Sequence, residues 1–227
     1  MSHWKELINS WGGIPVVIAF FGMVSFIIAV IIFSINETNE ESYTAKKYAD
    51  SAGRVLGISG APVRIIEFGD FQCSHCKDFH EEITPRLIED FVSRGIATLE
   101  FRHLAFLGSE SILAATGAEC ALEQGYFWSY SDLLFFKQNP KNKSTFSTAN
   151  LKKYARELER SYPNFNVDQF DSCLNSPEKR ELVINMSEEA LRLGFSSTPS
   201  FLINGIPFRN SGEYDTFRIA IENATKN

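Results

Sequence analysis

The stretch PVRIIEFGDFQCSHC, residues 62–76, decides how this chain is read. Pro62 opens it, and Val63-Arg64-Ile65-Ile66-Glu67-Phe68 is a short apolar run bounded by turn residues, which predicts a buried strand. Cys73-Ser74-His75-Cys76 stands just after that strand and opens a helical pattern that runs to about Ser93 and stops at Gly95. The free N–H groups and the dipole of a helix start favour negative charge, so a thiolate at Cys73 is expected to be stabilised there. Cysteines so placed titrate anywhere from about 3.5 to about 7.5, against about 8.5 for a free thiol. A protonated His75 would push the same way. A stable thiolate leaves well and favours the reduced form, which makes the Cys73–Cys76 disulfide the more oxidising, with Cys76 as the resolving thiol. Half a zinc site is the competing reading. It wants a second close cysteine pair, whereas the other two cysteines, Cys120 and Cys173, lie far apart.

Glu67 lies six residues before Cys73 in the apolar strand. Buried there, its carboxyl would hold a raised pKa and could pass a proton to or from Cys76. The alternative is an edge residue facing water, and Asp70 competes for the proton-transfer role. Ile96 to Leu104 alternates as a second strand. From about Gly108 to Gly194 the pattern is helical, with segments at Ser109–Gln124, Tyr126–Gln138, from near Thr148, and at Asp168–Leu174. The last of them opens at Ser176-Pro177-Glu178, where a capping Ser, a first-turn Pro and an early acid agree, and it stops at Gly194. Ser200–Ile203, a Gly205 turn and Ile206–Arg209 read as a hairpin, followed by a helix over Glu213–Asn223. Thr198-Pro199 enters the hairpin, where a cis bond is admissible and an ordinary strand-entry proline is the alternative. Strand, helix, strand, helical block, hairpin and helix make an α/β layer with a helical insertion. His3, His80 and His103 share no ligand spacing and read as ordinary surface or groove residues.

The N-terminus sets the compartment. Ile14 to Ile35 is a run of 22 residues without a charge. As a helix it spans roughly 33 Å, enough for a bilayer core of about 30 Å. Trp4 and Trp11 precede it, as interfacial aromatics do. A cleaved signal peptide is the rival, with a shorter apolar region and a small-residue exit that Ser34-Ile35-Asn36-Glu37-Thr38 does not supply. Lys5 before the span, with Glu37, Glu40 and Glu41 but no Lys or Arg after it until Lys46, favours the N-terminus inside, and the cysteine chemistry favours the same. The expected organisation is a cytoplasmic stub (1–13), a transmembrane anchor (14–35), a linker with one short strand near Arg54–Ile58 (36–60), a sheet domain (61–107 and 195–227) and a helical insertion (108–194). The catalytic part then lies on the extracytoplasmic side. A net charge of -6 excludes nucleic acid as the main partner, and 20 Phe among 227 residues predict an aromatic core.

Taken together, three segments carry a resemblance. They are Glu67 to Cys76, Ala121-Leu122-Glu123-Gln124-Gly125-Tyr126-Phe127-Trp128, and Thr198-Pro199-Ser200-Phe201-Leu202-Ile203-Asn204-Gly205. From about Val63 to Asn223 the chain resembles the DsbA-like thiol–disulfide oxidoreductases, which have a thioredoxin fold interrupted by a helical domain. The resemblance implies that Cys73 forms the mixed disulfide, Cys76 resolves it, Glu67 is the buried acid and Thr198-Pro199 is a cis-proline loop facing the cysteines. It implies no cofactor and no metal. Ser74 departs from the pattern, because the best-known oxidases carry Pro there, and this leaves the direction of electron flow open. In an oxidising compartment Cys120 and Cys173 are expected to form a structural disulfide, the alternative being two buried thiols. The expected activity is donation of the Cys73–Cys76 disulfide to exported, cysteine-containing proteins, with reoxidation by a membrane partner such as a quinone-linked oxidase. The rivals are a reductase fed by a membrane electron donor and a non-catalytic chaperone or binding module.

Overall fold

The computed structural model describes residues 21–31, 43–46, 48, 51–139, 144–209 and 212–226. The chain divides into two units, Met1–Tyr43 and Thr44–Asn227. In the first, residues 21–31 are helical and carry exposed Phe21, Met23, Phe26 and Ile27. No helix among the described residues is long and apolar enough to cross a membrane. The stub over 1–13 and half of the expected anchor over 14–35 lie outside the described residues.

The second unit is built on one six-stranded sheet. A small hairpin of β1 (Ser51–Ala52) and β2 (Val55–Leu56) forms one edge, and β3 (Val63–Gly69) and β4 (Ala97–His103) form the centre. A second hairpin, β5 (Ser200–Ile203) and β6 (Ile206–Phe208), closes the other edge, and the spatial order is β1-β2-β4-β3-β5-β6. Only β3 and β4 run parallel, with Glu67 beside Phe101 and Gly69 beside His103, while β5 lies antiparallel to β3 and sets Phe201 opposite Glu67. The short strand expected near Arg54–Ile58 within 36–60 is β2, and β1 precedes it. The tight turn at residues 53–54 returns the chain as β2 against β4, and Leu56 is buried.

Between β3 and β4 the chain makes one continuous helical run, α1, composed of α-helical Ser74–Asp78 and Thr84–Leu87 and of π-helical turns at Phe79–Ile83 and Ile88–Val92. The expected single helix is thus interrupted twice by wider turns, and the first of them carries His80. The insertion contains α2 (Ser109–Leu122), α3 (Phe127–Lys137), α4 (Thr148–Ser161), α5 (Val167–Leu174) and α6 (Pro177–Arg192), and α7 (Tyr214–Ala224) ends the fold. Ser176 caps α6 by accepting from the Glu178 amide at 3.2 Å, and Gly194 ends it at φ 89°.

Successive residues of a strand face opposite ways, and here the two faces of β3 have different cores. Ile66 and Phe68 meet Leu104 and Ala190 of α6, with Phe195 stacked on Phe68 at 4.4 Å. The face that carries Glu67 is aromatic: Phe71 packs on Phe101 and Phe135, and Phe79 packs on Phe201 and Phe217. Cys120 on α2 and Cys173 on α5 are joined by a disulfide that closes a 53-residue separation.

Closing a loop of that length removes about 4 kcal/mol of unfolded-state entropy. Replacing both cysteines by Ala is expected to lower the urea midpoint of the full chain correspondingly while leaving thiol exchange at Cys73 in place. An unchanged midpoint would show that the bridge contributes nothing to stability.

Candidate active site

Gly69, the last residue of β3, leaves two bulky groups the space a side chain would take. A Cβ at position 69 would lie 2.5 Å from Phe101 Cε2 and 3.1 Å from Glu67 Oε1. The ring and the buried carboxyl share that gap. The chain then turns, with the Cys73 amide donating to the Asp70 carbonyl at 3.0 Å. Asp70 is 1% exposed, and its carboxylate accepts from the amides of Gln72 (2.8 Å), Phe106 (3.0 Å) and Leu107 (3.2 Å). Asp70, read as a possible proton-transfer group, therefore spends its oxygens tying the turn before Cys73 to the loop after β4. Burial still raises its pKa, with those amides opposing.

Cys73 is the N-cap residue of α1, at φ -78° and ψ 120°. This extended conformation sets its side chain over the first helical turn. Both thiols are free; Cys73 is 8% exposed and Cys76 fully buried. The Cys73 pKa is lowered to about 6. The largest cause is the hydrogen bond from the Cys76 thiol; burial opposes it, and the Thr198 side chain and the amides of Cys76 and His75 add to it. The helix start thus contributes as expected but is second to the partner sulfur, and no full capping hydrogen bond is closed. Cys76 moves the other way, well above the ordinary thiol value, because of burial and then because its proton is held against Cys73, with the charges of Glu67 and Cys73 adding to the effect. Glu67 is 2% exposed, and its carboxyl is pushed up to about 8 by burial and then by the charge of Cys73. Its Oε1 has no hydrogen-bond partner among the described residues.

The Thr198–Pro199 peptide is cis, and the Cys73 thiol donates to the Thr198 carbonyl at 3.3 Å. The loop before β5 therefore touches the reactive sulfur. Beside it a cleft of about 550 Å³ is lined by His75, Asp78, Phe79, Ile83, Thr198, Pro199 and Phe201. Cys73, Cys76, Glu67, Thr198 and Pro199 come together here. The arrangement can exchange thiols with a disulfide: an accessible sulfur that leaves as thiolate, a buried sulfur that holds its proton, and a carboxyl below them able to supply or accept one.

The His75 ring is 81% exposed and turns to Asp78 at 3.7 Å, and the His75 backbone amide is among the groups that favour the thiolate. The reading of His80 and His103 as surface or groove residues is overturned, since they are 5% and 1% exposed. His80 pairs with Asp132 of α3, which also accepts from Tyr48 at 2.6 Å. His103 Nε2 meets Glu119 of α2 at 2.8 Å, and Arg54 approaches the same carboxylate at 3.4 Å. These pairs bolt the insertion to the sheet unit. In the sequence their acids stand 52 and 16 residues away, so spacing carried no signal. His3 lies outside the described residues.

A family model described as thioredoxin matches residues 49–223. The chain is 29% identical over 211 residues to the probable disulfide bond formation protein D of Bacillus anthracis, covering 92% of this chain and 94% of that protein. It is 29% identical over 174 residues to disulfide bond formation protein D of Bacillus subtilis, covering 76% of this chain and 77% of that protein. The crystal structure of oxidised BdbD from Bacillus subtilis superposes with a TM-score of 0.70 at 25% identity, over 82% of this chain and all of that one.

The two shifts have opposite consequences for stability. Glu67, raised to about 8, keeps its proton in the folded state where the unfolded chain has lost it, so its contribution falls as pH rises from the ordinary carboxyl range to about 8. Cys73, lowered to about 6, adds stability to the reduced protein as pH climbs above that value. Urea unfolding of the reduced protein across this range should show Glu67→Gln gaining on the native chain by up to about 1.4 kcal/mol per pH unit. Parallel curves would mean that Glu67 titrates as an ordinary carboxyl.

Proposed function

The chain belongs to the thioredoxin family and is a DsbA-like thiol–disulfide oxidoreductase, and from that premise we propose that it donates its Cys73–Cys76 disulfide to exported proteins. The observation that carries this direction is the asymmetry of the two sulfurs, Cys73 lowered to about 6 and Cys76 raised. A thiolate that stable favours the reduced pair, so the disulfide gives up its bond readily. The names of the relatives, disulfide bond formation proteins, agree with it.

In the proposed cycle a substrate thiolate attacks Cys73 Sγ. The Cys73–Cys76 bond breaks, and Cys76 leaves as a thiolate that takes a proton from the Glu67 carboxyl. A second substrate thiolate then attacks the substrate sulfur of the mixed disulfide, and Cys73 departs as a thiolate. The substrate has lost two electrons and the pair has gained them. The Thr198 carbonyl accepts from Cys73 only while that sulfur keeps its proton. Once that sulfur is in a disulfide it carries no proton, and the carbonyl is open to the backbone of an extended substrate. Reoxidation falls to a membrane partner, and the uncharged run over Ile14 to Ile35 supports an anchor that keeps the domain beside it, outside the cytoplasm. The Cys120–Cys173 disulfide supports the same oxidising compartment.

Equilibration of Cys73–Cys76 with a glutathione buffer tests the direction. A potential less negative than about -180 mV is expected, and one near about -270 mV would sink the donor reading in favour of a reductase, the reading that Ser74 keeps open. The topology has its own test. Cys73 in intact spheroplasts, reduced first with a membrane-impermeant phosphine, is expected to react with a membrane-impermeant maleimide, and labelling only after lysis would place the domain inside.

A further inference from the structure

The turn that carries Cys73 is also gripped from the insertion by a single side chain. Gln138 follows the last residue of α3, at φ -55° and ψ 125°, where the chain leaves the helix. Its Nε2 donates to the Phe71 carbonyl at 2.7 Å and to the Cys73 carbonyl at 3.0 Å. Both hydrogens of the amide are thus spent on the backbone around the reactive cysteine. Among the described residues the Cys73 carbonyl also accepts from the Lys77 amide at 3.2 Å, which is the first and a long bond of α1.

We infer that Gln138 is a positioning residue for thiol exchange, holding the Cys73 carbonyl, and through it the extended N-cap conformation that keeps Sγ over the amides of α1 and against Cys76 and Thr198. An N-cap residue must resist the helical ψ of the residues that follow it, and its side chain reaches the first-turn amides only while it does. Rotation of ψ at position 73 toward the helical value swings its carbonyl away from both Phe71 and Gln138. Two hydrogen bonds, to carbonyls two residues apart, oppose that rotation. The chemistry requires a donor, because both targets are acceptors. A glutamate of the same length offers none when ionised, and a leucine of similar bulk offers none at all. The helical insertion thereby acts on the sulfur without touching it.

The inference rests on Cys73 being the reactive thiol, not on the direction of electron flow, so a reductase potential would leave it standing. The titratable groups around the sulfur, Cys76 and Glu67, are untouched by substitution at 138, and the His75 ring is exposed. The test is the pH dependence of iodoacetamide alkylation of Cys73 in the reduced full chain. Native protein should give a midpoint of about 6. Gln138→Leu is expected to raise it by about half a unit or more and to slow exchange with a disulfide peptide severalfold. Gln138→Lys, which can still donate, should titrate at or below the native midpoint. Should Gln138→Leu fail to fold, Gln138→Met, also uncharged and without a donor, replaces it and must also titrate higher. An unchanged midpoint in the variant without a donor, even with lowered stability, would reduce Gln138 to a structural strap and overturn the inference. So would a Gln138→Lys midpoint raised as far as that of Gln138→Leu.

Discussion

Sulfur at an N-cap is the constraint on which the rest depends. Cys73 must leave strand β3 and its turn in an extended conformation while the next residue already begins α1. Only then does its side chain lie within reach of the first-turn amides, the Cys76 thiol and the Thr198 carbonyl at once. Each neighbouring feature serves that placement. Gly69 makes room for the ring and carboxyl beneath, and Asp70 fastens the turn with three amides. The cis Thr198–Pro199 peptide brings the β5 entry against the sulfur.

Electrostatically, the site separates groups that would otherwise be alike. Two cysteines three positions apart end with pKa values displaced in opposite directions, and the reason is solvent and hydrogen bonding, not residue type. Cys73 receives a hydrogen bond and sits at the rim, whereas Cys76 gives one and is buried. Glu67 belongs to the same set, since a carboxyl buried beside the charge of Cys73 keeps its proton up to about 8. A buried acid beneath a buried thiol lets a proton move where no solvent reaches.

The insertion is no passive addition to the sheet unit. It reaches the redox turn through Ser111, which donates to Gln72 at 2.8 Å, and through Gln138. It reaches α1 through the His80–Asp132 pair and β4 through His103–Glu119. These pairs are buried, and removing one member would strand a polar or charged partner away from water, so they hold register more than they add net stability. The disulfide between α2 and α5 stiffens the insertion itself.

Much of this was legible in the residues. The order of strands and helices, the helix opening at Ser176-Pro177 and the hairpin at Gly205 follow from local periodicity, capping and turn chemistry, which act over a few residues and so are written in adjacent ones. The placement of Cys73 after a strand and before a helix was legible for the same reason. What the sequence could not determine is every relation that depends on residues meeting across the fold. Gln138 reaches a carbonyl 65 positions earlier, the acids paired with His80 and His103 come from other helices, and the chief cause of the Cys73 shift is the orientation of a neighbouring thiol. Hydrogen bonding and desolvation are set by three-dimensional neighbours at a few ångströms, and only the folded chain decides who those neighbours are.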